Sequence, residues 1–249
     1  MEKLVIIDGN SIINRAFYAL PILTNSNGEY CNAIYGFCNI LTKIITSEKP
    51  SYMAICFDAA KRTFRNDIYE DYKGTRKAMP VELADQLLPL KNILKAMNIF
   101  IVEQVGVEAD DLIGSIAKKF NIPTIILSGD RDLLQLIDDS TEVHLTKKGV
   151  TDVEVMTEQS LNDKMGIKPY QVVELKALMG DASDNIPGVA GVGEKTALSL
   201  VQTYDNIDNL YANIDSVKGK LKEKLVDGKT SAYMSKTLAT INSNISLDI

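Results

Sequence analysis

Leu4-Val5-Ile6-Ile7-Asp8-Gly9-Asn10 opens the chain with four apolar residues, three of them β-branched, and stops on an acid, a glycine and an amide. An unbroken apolar run this short, ended by turn residues, reads as a strand covered on both faces, as in a parallel sheet. Two later stretches repeat the pattern: Ala54-Ile55-Cys56-Phe57-Asp58, and Ile125-Ile126-Leu127-Ser128-Gly129-Asp130-Arg131-Asp132. Each ends on aspartate. Working outward, strand patterns fall at 3–7, 52–57, 99–103, 124–127, 142–146 and 153–156, with amphipathic helix patterns at 32–46, 81–97 and 109–120 between them. Strands separated by helix-length segments predict an α/β fold with a mostly parallel central sheet flanked by helices. From about 157 the strand signal stops and helical stretches follow one another. The predicted division is a core over 1–160 and a helical subdomain over 161–249.

Composition narrows the class. Of 249 residues, 45% are hydrophobic and 24% charged, enough to bury one sizeable core without disulfides or structural metal. Cys31, Cys38 and Cys56 are an odd number with no C-x-x-C pair, and read as reduced thiols. His144, the one histidine, sits in an alternating strand pattern, which argues against a histidine-dependent mechanism. No apolar run approaches the ~20 residues of a membrane span and no signal-peptide pattern opens the chain, so the cytoplasm is the expected compartment.

The net charge of −6 counts against a nucleic-acid partner only if charge is evenly mixed. It is not. Residues 61–77, KRTFRNDIYEDYKGTRK, carry six basic and three acidic residues, a net of +3 that leaves −9 for the rest of the chain. Lysine and arginine there, Arg65 among them, suit a phosphate backbone, and the interleaved Phe64, Tyr69 and Tyr72 suit unpaired bases.

The acids form the opposite pattern. Asp8, Asp58, Asp130 and Asp132 close or follow three different strands, and ligands of open α/β sheets bind outside the carboxyl ends of strands. Any one of them is equally explained as a helix cap. Glu108, Asp110 and Asp111 crowd one predicted helix start, more acids than a cap uses, and Asp181 and Asp184 form a further i,i+3 pair. These nine carboxylates predict hard divalent cations, Mg²⁺ or Mn²⁺, and two such ions form the usual clamp for phosphodiester hydrolysis.

Between two helical stretches lies Ile186-Pro187-Gly188-Val189-Ala190-Gly191-Val192-Gly193-Glu194-Lys195-Thr196. Its glycine spacing differs from that of the dinucleotide and P-loop fingerprints. A helix–hairpin–helix turn fits: Gly188, Gly191 and Gly193 permit close approach to a phosphate, the next helix offers free N–H groups, and Lys195 adds charge.

Taken in order, Ile7-Asp8-Gly9-Asn10-Ser11, Phe57-Asp58, Tyr72-Lys73 with Arg76, Glu108-Ala109-Asp110-Asp111, Gly129-Asp130-Arg131-Asp132 and Gly180-Asp181-Ala182-Ser183-Asp184-Asn185-Ile186-Pro187-Gly188 resemble the motifs of the flap endonuclease family. This family includes the 5′-nuclease domains of bacterial DNA polymerase I. The resemblance runs over essentially the whole chain. It implies a PIN-like core, a helical arch at about 61–90, a helix–hairpin–helix-type subdomain gripping duplex DNA, and K⁺ at the hairpin. It also implies that Asp8, Asp58, Glu108 and Asp110 serve mainly one metal, and that Asp111, Asp130, Asp132, Asp181 and Asp184 surround the second. By the same resemblance Lys73 and Arg76 steer the scissile phosphate, Tyr72 stacks on a base, and Arg15 is an active-site cation.

The implied activity is 5′→3′ exonuclease and 5′-flap endonuclease cleavage in DNA replication and repair. Its substrates would be flaps, nicked or gapped duplex and 5′ ends, cut by a monomer that works with a DNA polymerase, covalently joined or separate. In polymerase I such a domain is followed by others, whereas this chain stops at Ile249, so an excised domain and a stand-alone paralogue both stay open. A non-catalytic DNA-structure-binding paralogue and a PIN-type ribonuclease are the competing readings.

Overall fold

A computed structural model describes residues 2–59, 62–120, 122–147 and 152–247; Lys61, at the start of the basic segment, lies outside these. The chain runs β1 (Leu4–Asp8), α1 (Gly9–Ala19), α2 (Asn32–Glu48) and β2 (Tyr52–Cys56). A short α3 (Phe64–Ile68) follows, then α4 (Val81–Ala96), β3 (Phe100–Val102), α5 (Ala109–Lys119), β4 (Thr124–Ser128), β5 (Thr141–Thr146) and β6 (Val153–Met156). The rest is helical: α6 (Glu158–Met165), α7 (Gln171–Met179), α8 (Glu194–Tyr204), α9 (Ile207–Ala212), α10 (Gly219–Asp227) and α11 (Lys229–Ala239). All six strand patterns form strands, and His144 is a buried strand side chain of β5.

Contacts divide the molecule into two compact units. The first contains Met1–Lys61, Ala78–Thr157 and Asn242–Ile249; the second contains Arg62–Lys77 and Glu158–Ile241. The division differs from a single boundary near 160. The basic segment groups with the helical unit, and the last residues return to the α/β unit.

In the first unit the sheet order is β3-β2-β1-β4-β5-β6. All neighbours are parallel except β5 and β6. The central β1 and β4 are buried along their whole length, the consequence of helices covering both faces. One core cluster joins Val5 and Ile7 of β1 with Ile12, Ile13, Phe37, Leu41, Ile55, Phe57 and Leu127. Leu83, Leu90 and Leu94 of α4 belong to that cluster, at spacings that keep them on one helical face. This corrects the arch drawn to residue 90: from Val81 onward the chain is core helix. The strand order reverses beside β1, whose neighbours are β2 and β4, so the carboxyl ends of β1 and β4 flank the switch point.

The second unit has its own cluster of Val173, Ile186, Leu238, Ala239 and Tyr72. Arg65, 2% exposed, fastens α3 to the end of α11: its Nε donates to the Leu238 carbonyl at 2.8 Å and its Nη2 to that of Thr240 at 2.8 Å. These are last-turn carbonyls that α11 itself leaves without an N–H donor.

Candidate metal centre and nucleic-acid interface

Asp8 ends β1 and caps α1, with Oδ1 accepting from the Ser11 N–H at 2.9 Å and Oδ2 accepting from Ser128 Oγ at 2.6 Å. Asp58, just past β2, is held by two donors. The Ala109 N–H, the first of α5, reaches its Oδ1 at 2.7 Å, and Asn10 Nδ2 reaches its Oδ2 at 3.0 Å. That first bond pins the start of α5 to the end of β2 and so brings Asp110 to the same edge. Asp130 follows β4; its N–H donates to Ser128 Oγ at 2.9 Å and its Oδ1 accepts from the Asp132 N–H at 2.9 Å. Ser128 therefore ties Asp8 and Asp130 together.

These acids feel one another. Burial, with the charges of Asp130 and Asp58, pushes the Asp8 carboxyl up to about 6, outweighing the hydrogen bonds from Ser128 and Ser11. Burial also pushes the Cys56 thiol far up, with the charges of Asp8, Asp110 and Asp58 adding to the effect. Asp8, Asp58, Asp110 and Asp130 thus share one electrostatic field at the carboxyl edge of the sheet. Glu108 is buried at the N-cap of α5 and Asp132 is buried in the 3₁₀ turn Arg131–Leu136. Asp111 does something else. Only 1% exposed, it accepts the Asn242 N–H at 2.8 Å, holding the C-terminal return against α5. Ser115 extends this strap, donating to the Asn242 carbonyl at 3.2 Å and accepting from the Ile245 N–H at 3.0 Å. Among the described residues no three acids converge closely enough to cage an ion by themselves. Mg²⁺ needs no cage, since it usually keeps several waters and binds through one or two carboxylates.

In the second unit the acids have protein cations. Asp181 bonds Lys176 and accepts from the Ser183 N–H at 2.8 Å and Ser183 Oγ at 2.6 Å. Burial alone would raise its carboxyl, but Lys176 and Ser183 outweigh that and hold it below the usual range. Asp184 bonds the Arg76 guanidinium, has Lys73 Nζ at 3.8 Å and accepts from the Tyr72 hydroxyl at 3.2 Å. The Lys73 N–H also donates to the Asp184 carbonyl at 2.8 Å. Two expectations give way here. Tyr72 is 5% exposed and packed in the core of its unit, and Arg65 is buried on carbonyls, so neither offers a free face to DNA. Phe64 is the exposed aromatic of the segment.

The glycines divide in the same way. Gly188, at φ +61°, has no room for a side chain, because a Cβ would lie 2.2 Å from the Gly180 nitrogen; its N–H donates to Ser235 Oγ at 2.9 Å. Gly191, at φ +75°, is exposed, and its carbonyl accepts from the Lys224 ammonium at 3.0 Å. Gly193 caps α8 with open space where a Cβ would go, and Lys195 in the first turn of that helix is exposed. Gly193 and Lys195 are thus open to a ligand. Arg15 lies back in the first unit, its guanidinium donating to the carbonyls of Thr146, at 2.6 Å, and Lys147.

Residues 3–166 match the 5′-3′ exonuclease N-terminal resolvase-like domain, and 167–249 match the 5′-3′ exonuclease C-terminal SAM fold. The chain belongs to the 5′-3′ exonuclease family. Its relatives include DNA polymerase I of Bacillus subtilis (strain 168), 47% identical over 252 residues that take in 100% of this chain and 29% of that protein. The chain spans about 29% of the length of such relatives. Among solved structures, bacteriophage T5 5′-exonuclease with divalent metal ions (zinc) bound superposes with a TM-score of 0.77 at 21% identity, over 97% of this chain and 90% of that one. The T5 flap endonuclease in a pseudo-enzyme–product complex with DNA and metal ions gives 0.76 at 21% identity, again over 97% and 90%. These two show that the fold is shared.

Sequence reading assigned no role to Asn10, Ser128 or Lys176, the side chains that orient or neutralise Asp58, Asp8 and Asp181. Asn10 and Ser128 flank the acids at the strand ends, and that adjacency is the signal that could have found them. Lys176 lies five residues before Asp181 across a helix end, where spacing alone gives no cue.

Proposed function

We propose that the chain hydrolyses DNA phosphodiester bonds near 5′ ends and at 5′-flap junctions, using divalent ions held by the carboxylates at the sheet edge of the first unit. The carrying observation is the gathering of Asp8, Asp58 and Asp130 at the ends of three strands, where Ser128 links Asp8 to Asp130, and where burial, with the charges of Asp130 and Asp58 adding to it, pushes Asp8 up to about 6. The donor set is oxygen only, which selects Mg²⁺ or Mn²⁺. Bound there, such ions would lower the pKa of a water and neutralise the leaving oxygen.

The protein's own groups hold that edge in shape. Ser11 and Ser128 fix both oxygens of Asp8, and Asn10 and the α5 N-terminus fix both oxygens of Asp58, so little reorganisation is needed when cations arrive. Glu108 and Asp132 are proposed to support the ions through the buried rim. Gly193 and Lys195 are proposed to meet a duplex phosphate at the free N-terminus of α8. Work beside a DNA polymerase in replication and repair fits a sequence found within polymerase I relatives.

The test is cleavage of a labelled 5′-flap duplex with Mg²⁺, with EDTA, and by Asp130→Ala. Cutting should require metal and be lost in the variant. Metal-dependent cutting that survives Asp130→Ala unchanged would remove the site assignment, and binding without cutting at any metal concentration would favour a DNA-structure-binding role.

A further inference from the structure

Beside the carboxylates, within the first unit, lies a cavity of about 520 Å³ whose lining includes the cations Arg15, Arg131 and Lys147, the acids Asp152 and Glu154, and Gly129. It shares a wall with the acidic edge. The Gly129 N–H donates to Ser11 Oγ at 2.8 Å, the Ser11 N–H holds Asp8, and Gly129 directly precedes Asp130. The wall is close-packed: a Cβ on Gly129 would lie 3.0 Å from both Ser11 Oγ and Thr146 Oγ1.

Its three cations differ in how they are held. Arg15 is locked by the carbonyls of Thr146 and Lys147, which fixes the plane of its guanidinium. Lys147 has Glu154 at 3.6 Å. Arg131 is exposed and has no hydrogen-bond or ion-pair partner among the described residues. A concave site with one fixed and one uncommitted guanidinium suits a tetrahedral oxyanion, because the planar fork can offer two parallel N–H groups to it. The cavity adjoins an edge proposed to hold the ions for one phosphate. A polyanionic strand laid across that edge brings its neighbouring phosphate to the cationic side.

We propose that this cavity is the subsite for the DNA phosphate next to the one being cut, with Arg131 as its contact and Arg15 as the fixed wall that orients it. The proposal rests on the nuclease reading above. Phosphate contacts carry register rather than sequence, so the subsite would set which bond lies over the metals.

The experiment replaces single phosphates on either side of the scissile bond with uncharged methylphosphonates in a 5′-flap duplex. Cleavage is measured with Mg²⁺, and binding by fluorescence anisotropy with Ca²⁺ in its place. For wild type, one replacement should weaken cleavage and binding about 10-fold, the scale of one charge-assisted contact. Arg131→Ala should lose about as much on native DNA and lose nothing further on that replaced DNA, while Arg131→Lys recovers part. Losses that simply multiply would overturn the subsite, as would a wild type indifferent to every replacement. If wild type binds but does not cut, the nuclease reading falls, and the coupling seen in binding alone still decides the subsite.

Discussion

The acids of the α/β unit and those of the helical unit look alike in sequence and are treated oppositely by the fold. At the sheet edge, Asp8 and Asp58 are held by hydroxyls, an amide and backbone N–H groups, which orient a carboxylate without cancelling its charge. In the helical unit, Asp181 has Lys176 and Asp184 has Arg76 and Lys73. The outcome shows in the carboxyls themselves: burial raises both, and it carries Asp8 up to about 6, whereas at Asp181 Lys176 and Ser183 outweigh it and hold the group below the usual range. Oriented but uncompensated charge is what a metal site needs. Compensated charge serves the folded chain by itself.

Three substitutions test this contrast. Asp58→Ala removes a carboxylate from the shared field and releases the first N–H of α5. Cleavage of a flap duplex should fall by more than the roughly 10–100-fold typical of losing a residue that only supports a ligand. A smaller loss would place Asp58 among the supports. Asp111→Ala should cost about 1–3 kcal/mol in urea unfolding, because a buried acceptor for the Asn242 N–H disappears, and should leave Mg²⁺ affinity unchanged. Weakened metal binding with intact stability would return Asp111 to the ligand set. Asp184→Ala should cost less, about 1 kcal/mol, since Arg76 is partly exposed and its pairing is screened. Its clearer sign should be faster tryptic cutting after Lys73 and Arg76, and an unaltered digest would mean that Asp184 does not hold the basic segment.

Much of the first unit was legible because its signals are local. An apolar run that ends on Asp8, Asp58 or Asp130 announces both a strand and the edge where the acid lands. The i,i+7 leucines Leu83 and Leu90 mark a core helix, although the resemblance drew the arch past them. Non-local pairings were not legible. Nothing near Asp111 indicates that its partner is Asn242, and Arg65 reads as one more cation in a basic run until α11 supplies its carbonyls. Tyr72 was hidden likewise, by packing against Val173 and Ile186 far along the chain. Composition can show charge segregation, but only the fold shows which cations are already matched.

Proton linkage at Asp8 gives the most direct test of the acidic edge. Its carboxyl rises from the ordinary 3.8 to about 6 on folding, so the folded state is favoured while that group is protonated. In metal-free protein this contribution is fully present below about pH 4 and is lost as pH rises through about 6, on the order of 3 kcal/mol for a shift of that size. A cation bound to the charged form should restore it. The measurement is the melting temperature at pH 7.5 in EDTA and in Mg²⁺, for wild type and Asp8→Asn. Wild type should be markedly stabilised by Mg²⁺, and Asp8→Asn should melt higher than wild type in EDTA with little response to the metal. Equal Mg²⁺ stabilisation of both proteins, with no gain for Asp8→Asn in EDTA, would contradict a divalent-metal site at this sheet edge.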